Sequence, residues 1–199
     1  MSNAAIRDAL RDAITYLSQN PKEARYTDSK AIAVLDAGLG VTVTGPSGAL
    51  VRTDMPESVG GGGSAPSPGW LLRAAQASCL ATLIAMRAAQ EGLKPGRIEV
   101  VVDSESDDRG ILGLDEGVPA GPLRIHVRVR LASPDATEGE LRNIADWGAG
   151  TVRSPTLRVA RSRLRWTSKQ GRVKAGRVLH SAGRHGQALA RSEFRSGPE

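Results

Sequence analysis

The sequence predicts an α+β fold in which an antiparallel sheet packs on a long central helix and a second helix. Three observations carry that prediction. Residues 69–92 form an apolar, alanine-rich helical stretch, residues 122–131 alternate strictly between apolar and basic side chains, and residues 24–54 carry β-rich segments separated by glycine turns.

The elements follow in order. Ile6, Leu10, Ile14 and Leu17 recur at helical spacing and predict a helix over 4–19, ended by Asn20-Pro21. Residues 1–23 then read as a helical arm that packs on the domain or on a partner subunit. From 24 to 54, Val41-Thr42-Val43-Thr44 is β-rich and Gly45-Pro46-Ser47-Gly48 is a turn before Ala49-Leu50-Val51-Arg52, so the simplest reading is a three-stranded meander. Residues 55–69 are broken by Pro56, Gly60–Gly63, Pro66, Pro68 and Gly69. They predict an ordered loop with a mobile tip, with Ser67 capping the next helix and Pro68 in its first turn.

Within 69–92, Leu72, Ala75, Cys79, Leu83 and Met86 fall near one stripe, which is expected to face the core. Gly92 and Pro95-Gly96 end the helix. A strand is expected over 98–102, an acidic loop over 104–121 and the alternating strand over 122–131. A helix follows from about 137 to 147, capped by Asp135 or Thr137 and stopped by Gly148-Ala149-Gly150. Residues 157–166 read as a last strand. The domain is thus placed at 24–167, and 168–199 reads as a flexible basic tail.

Composition narrows the function. The 199 residues are 40% hydrophobic, enough for one core, and no uninterrupted apolar run suggests a membrane span. No secretory signal is evident and the single cysteine forms no internal disulfide, so a cytoplasmic protein is expected. The net charge of +6 is uneven: residues 157–199 hold 11 basic and 2 acidic side chains. A basic segment attracts nucleic acid, but without zinc-finger spacing or interleaved aromatics beyond Trp166, nucleic-acid binding is not the expected function. His126, His180 and His185 lack metal-ligand spacing, and no nucleotide-loop, kinase or hydrolase motif is present. No metal or cofactor is expected. Asp103, Glu105, Asp107 and Asp108 read as a solvated loop rather than a calcium loop.

Cys79 is the reactive candidate. The residues alone leave two readings open, a small buried hydrophobe or a thiolate activated by an arginine brought in by the fold. Arg52 before the loop and Arg25 at the first strand are the candidates for that arginine.

The stretch Gly60-Gly-Gly-Gly-Ser-Ala-Pro-Ser-Pro-Gly-Trp-Leu-Leu-Arg-Ala-Ala-Gln-Ala-Ser-Cys79-Leu-Ala-Thr resembles the OsmC/Ohr family, and Arg52-Thr-Asp-Met-Pro56 resembles the strand end leading into it. The resemblance covers roughly 24–167. It implies an intertwined homodimer with interfacial active sites that reduce organic hydroperoxides or hydrogen peroxide. It also implies a peroxidatic cysteine at Cys79, and an arginine and a glutamate that orient it. The resolving-cysteine position is Ser154, ahead of Pro155, and the helix-start glutamate position is Gly69. Two of the four expected groups are therefore replaced. The expected function is peroxide reduction through Cys79 with an external thiol reductant. The alternative is a non-catalytic relative binding a small apolar or lipid-like ligand at the dimer interface, near Trp70, Leu71 and Leu72.

Overall fold

The structure is a computed structural model that describes residues 2–151 together with the backbone of 159–161, 165–166 and 174–175. Its first helix, α1 (Asn3–Gln19), starts where the Ser2 side chain accepts from the Ala5 N–H. Asn3 Nδ2 donates to the Leu93 carbonyl at 2.7 Å. This fixes the start of α1 beside the end of the central helix, along which it packs.

The predicted meander forms as β1 (Ile32–Leu35), β2 (Val41–Thr44) and β3 (Leu50–Thr53), an antiparallel sheet in that order. Leu35 sits opposite Val41, and Val41 opposite Thr53. Every residue of β1 is exposed. No described helix or strand outside this sheet makes extensive contact with it.

The central helix α2 (Pro68–Gln90) begins as expected, with Ser67 Oγ accepting from the Trp70 N–H at 3.2 Å and Pro68 in the first turn. Its buried face is not the expected one. Leu80, Ile84, Ala88 and Ala89 are buried, whereas Leu72, Ala75 and Cys79 are exposed. The helix is apolar on most sides, so periodicity alone could not choose between stripes. The chosen stripe packs against Val129 and Leu131 of β5 (Arg124–Ala132) and against Leu141, Ile144 and Ala145 of the last helix. Full burial of each such aliphatic side chain contributes about 1.5–3 kcal/mol.

Strand β4 (Arg97–Glu105) is longer than predicted and pairs antiparallel with β5, with Val100 opposite Val129 and Asp103 opposite His126. Alternation sends Ile125, Val129 and Leu131 into the core and the basic residues to the other face. There Arg128 pairs with Asp103 at 2.7 Å, and Glu99 is held by both Arg97 and Arg130. The expected loop between the strands contains a single helical turn, α3 (Asp108–Ile111).

The last helix, α4 (Glu138–Thr151), opens on a reciprocal cap. Glu140 N–H donates to Thr137 Oγ1 at 3.3 Å, and Thr137 N–H donates to Glu140 Oε2 at 2.7 Å. The helix runs through Gly148-Ala149-Gly150, which were expected to stop it. A Cβ at Gly148 would stand 2.9 Å from Leu80 Cδ1 and 3.1 Å from Ile84 Cγ1. That glycine therefore lets α4 approach α2 closely rather than ending α4.

The expected last strand is two short pieces, β6 (Val159–Arg161) and β7 (Arg165–Trp166), and both pair parallel to β5. A further piece, β8 (Lys174–Ala175), pairs with β7 inside the segment expected to be tail. The rest of that segment lies outside the described residues.

Candidate functional site

The loop between β3 and α2 is held by a dense set of hydrogen bonds. Asp54, 4% exposed, sits at its base. Its carboxylate accepts from the N–H groups of Met55 at 2.7 Å, Gly62 at 3.1 Å and Ser64 at 3.1 Å, and from the Ser64 hydroxyl at 2.8 Å. Asp54 N–H donates to the Pro66 carbonyl at 3.2 Å and closes the loop. The donors of Ser64, backbone first and then hydroxyl, hold the Asp54 carboxyl below its ordinary pKa, outweighing the upward pull of burial. A Cβ at Gly61 would lie 1.8 Å from the Met55 carbonyl oxygen, so the glycine run folds back against the Met55 backbone.

Four consecutive glycines resemble a linker in composition. Here Gly61 approaches the Met55 backbone, Gly62 donates to the Asp54 carboxylate and Gly63 donates to the Met55 carbonyl, so the tip expected to be mobile is fastened to the base of the loop. Sequence reasoning passed over Asp54. The signal was available: several loop N–H groups need an acceptor, and Asp54 is the one carboxylate at the loop's entrance.

The loop leads directly into α2. Cys79 lies three turns along the helix and is exposed. The buried-hydrophobe reading of Cys79 therefore does not hold within this chain. Trp70 is 50% exposed and Leu72 40%, so the cysteine shares its helix with uncovered apolar surface.

The other expected groups do not gather at the thiol. Arg52 lies on β3 opposite Thr42, and Arg25 follows the short 3₁₀ turn Pro21–Ala24; both are exposed. Neither has a hydrogen-bond or ion-pair partner among the described residues. Position 69 offers no side chain, and a Cβ there would meet only Arg73 Nη1 at 3.7 Å and Ser67 Oγ at 4.0 Å. Arg73 itself donates to Ser104 Oγ at 3.1 Å, which turns it toward β4. Ser154 lies outside the described residues. His126, read as a surface residue, is half-buried, with Nδ1 2.9 Å from Asp103 Oδ1. It belongs to the outer-face ion-pair ladder of β4 and β5.

By length and mean hydropathy, α2 is also apolar enough to cross a membrane. The search for an uninterrupted apolar run missed this because Arg73 and Arg87 break the run. In this fold α2 packs against α1, α4 and β4, and most of its surface is left uncovered within the chain.

Comparison with known proteins bears on this geometry. The family model described as OsmC-like protein matches residues 61–149, which hold Gly61–Gly63, α2 and Cys79. A search of curated proteins finds no match. Solved structures share the fold. An OsmC-like protein from Mycoplasma pneumoniae superposes with a TM-score of 0.56 at 14% identity, covering 72% of this chain and 99% of its own. An organic hydroperoxide resistance protein OsmC from Legionella pneumophila, also described as a predicted redox protein, gives 0.51 at 16% identity, covering 72% and 98%. An OsmC-like protein of unknown function from Vibrio cholerae gives 0.56 at 9% identity, covering 72% and 99%.

Proposed function

We propose that this chain, whose residues 61–149 carry an OsmC-like domain, reduces organic hydroperoxides or hydrogen peroxide through Cys79. The observation that carries the reading is the exposure of that one thiol on the apolar central helix of the matched region. The Cys79 thiolate attacks the terminal peroxide oxygen, the O–O bond breaks, and the alkoxide leaves and takes a proton from water. Cys79 is left as a sulfenic acid. An external thiol then condenses with it, releasing water and forming a mixed disulfide, and a second external thiol reduces that disulfide. Serine at 154 supplies no sulfur for an internal disulfide, which is why the reductant is external. A cytoplasmic location, with its thiol pool, goes with this reading.

The site is completed in a homodimer. Three features support this: the exposed apolar stripe of α2, the uncovered β1–β3 sheet, and the absence of any cation contacting Cys79 among the described residues. A second copy covers the apolar faces and brings Arg52 or Arg25 to the thiol. The decisive experiment titrates the protein with cumene hydroperoxide and counts sulfenic acid by intact mass, with Cys79→Ser as control. One oxygen gained per chain at near-stoichiometric peroxide is expected. Oxidation only at overoxidising doses sinks the reading.

A second reading is favoured by Trp70 and Leu72 standing exposed beside the loop: a non-catalytic protein holding a small apolar ligand at the interface. In that case ligand binding slows Cys79 alkylation while peroxide leaves the thiol untouched.

A further inference from the structure

Where α1 lies along the last turns of α2, the two helices enclose an open groove of about 500 Å³, lined by Arg7, Arg11, Ile14, Thr15, Arg87, Gln90 and Glu91. Arg7, Arg11, Ile14 and Thr15 occupy one face of α1 at i, i+4, i+7 and i+8. Three arginines from two helices thus line one space, against a single acidic residue in its lining. Like charges placed four apart on a helix work against its stability unless something answers them.

The acids near the groove answer them only in part. Glu91 takes Arg87 Nε at 2.6 Å. Asp8 and Asp12, which do not line the groove, take Arg11 at 3.2 and 3.3 Å. Arg7 has only a long 3.9 Å contact from Nε to Asp8. Arg87 is held on a second side by the Trp147 ring, 5.4 Å from its centroid. Its two terminal nitrogens are left without an acceptor among the described residues, on a guanidinium whose orientation is already fixed. Ile14 and the arginine stems give the groove an apolar wall.

We infer that this groove binds a small organic phosphate. Its phosphate oxygens would take the free nitrogens of Arg87 and Arg7, and its carbon body would lie against Ile14. The planar guanidinium fork suits phosphate oxygens, and the volume falls in the range of small-molecule sites. The groove is separate from Cys79, which lies two turns earlier on α2. Half of it is built by α1, which lies outside residues 61–149.

The test uses the full chain with inorganic pyrophosphate as probe at constant ionic strength. Amide hydrogen exchange is read separately in 3–19, 84–93 and 157–199, because the basic last quarter attracts polyanions by charge alone. Saturable protection is expected in 3–19 and 84–93. Arg87→Gln, and independently Arg7→Gln on the exposed arm, should weaken it at least about tenfold. Arg124→Gln, of equal charge change on β5, should leave it unaltered. Protection confined to 157–199, or an equal loss in Arg124→Gln, overturns the inference. Citrate protecting the groove as strongly as pyrophosphate overturns the choice of phosphate.

Discussion

Replacing Gly61 with alanine isolates what the loop contributes, because the added atom has a calculable conflict. The new Cβ would lie 1.8 Å from the Met55 carbonyl oxygen and 2.3 Å from its carbon, where real Cβ atoms essentially never come closer than 3.0 Å. The loop must retreat by more than 1 Å, and the obstacle is backbone, so no side-chain rotation relieves it. Retreat pulls the Gly62 and Ser64 N–H groups, both at 3.1 Å, off the Asp54 carboxylate. Overpacking of this kind costs about 1–3 kcal/mol, bounded above by the cost of releasing the loop alone. The control is Gly63→Ala, where φ is +60° but no atom lies within 4 Å; it carries backbone strain of about 1–2 kcal/mol without a clash. Hydrogen exchange should show amides 61–64 losing protection in Gly61→Ala well beyond the loss in Gly63→Ala, with the α2–α4 core unaltered in both. Equal protection in the two variants refutes the argument that the loop is held by close approach to Met55.

Asp54 makes the same loop sensitive to acid. Its folded-state pKa is depressed, so its contribution is fully present above the unfolded value of about 3.9 and is lost as pH falls through the folded pKa. Protection factors at Gly62 and Ser64, taken against the intrinsic rate at each pH, should fall below about pH 4 in the wild type and stay flat with pH in Asp54→Asn. In the core, Ile84 is 1% exposed between α4 and β5, and Ile84→Ala should lower the unfolding free energy by about 2–5 kcal/mol in a guanidinium titration. Thr137→Ala removes the hydroxyl half of the reciprocal cap of α4 and should cost about 1 kcal/mol, read as a lower thermal midpoint.

Much of the architecture was legible in the sequence because the signals were strong and local. The alternation of Ile125, Val127, Val129 and Leu131 with basic residues fixed one face of β5, and Ser67-Pro68 fixed the start of α2. The buried face of α2 was not legible: alanine, leucine and isoleucine surround the helix, and the choice of Leu80, Ile84 and Ala88 is made by where β5 and α4 lie. Gly148 read as a stop because its local propensity is poor, whereas its use is tertiary, to admit Leu80 and Ile84. At the site, Cys79 was visible in the residues as the single thiol, whereas Gly69 stood out only through the family resemblance. Asp54 was passed over because most of its partners are backbone groups as much as ten residues further on, legible only by counting the loop N–H groups that need an acceptor.

The β1–β3 sheet carries a last consequence. Ile32, Val34, Leu35, Leu50 and Val51 stand in solvent on strands that no described helix of the same chain covers. Leaving these apolar side chains in water forgoes about 1.5–3 kcal/mol for each one that could be fully buried. If the second copy proposed above covers this sheet, its persistence depends on mass action, and dilution acts on it as a denaturant does. Lowering the chain concentration should fray these strands first and leave the α2–α4–β5 core standing, two melting events where a concentrated sample shows one.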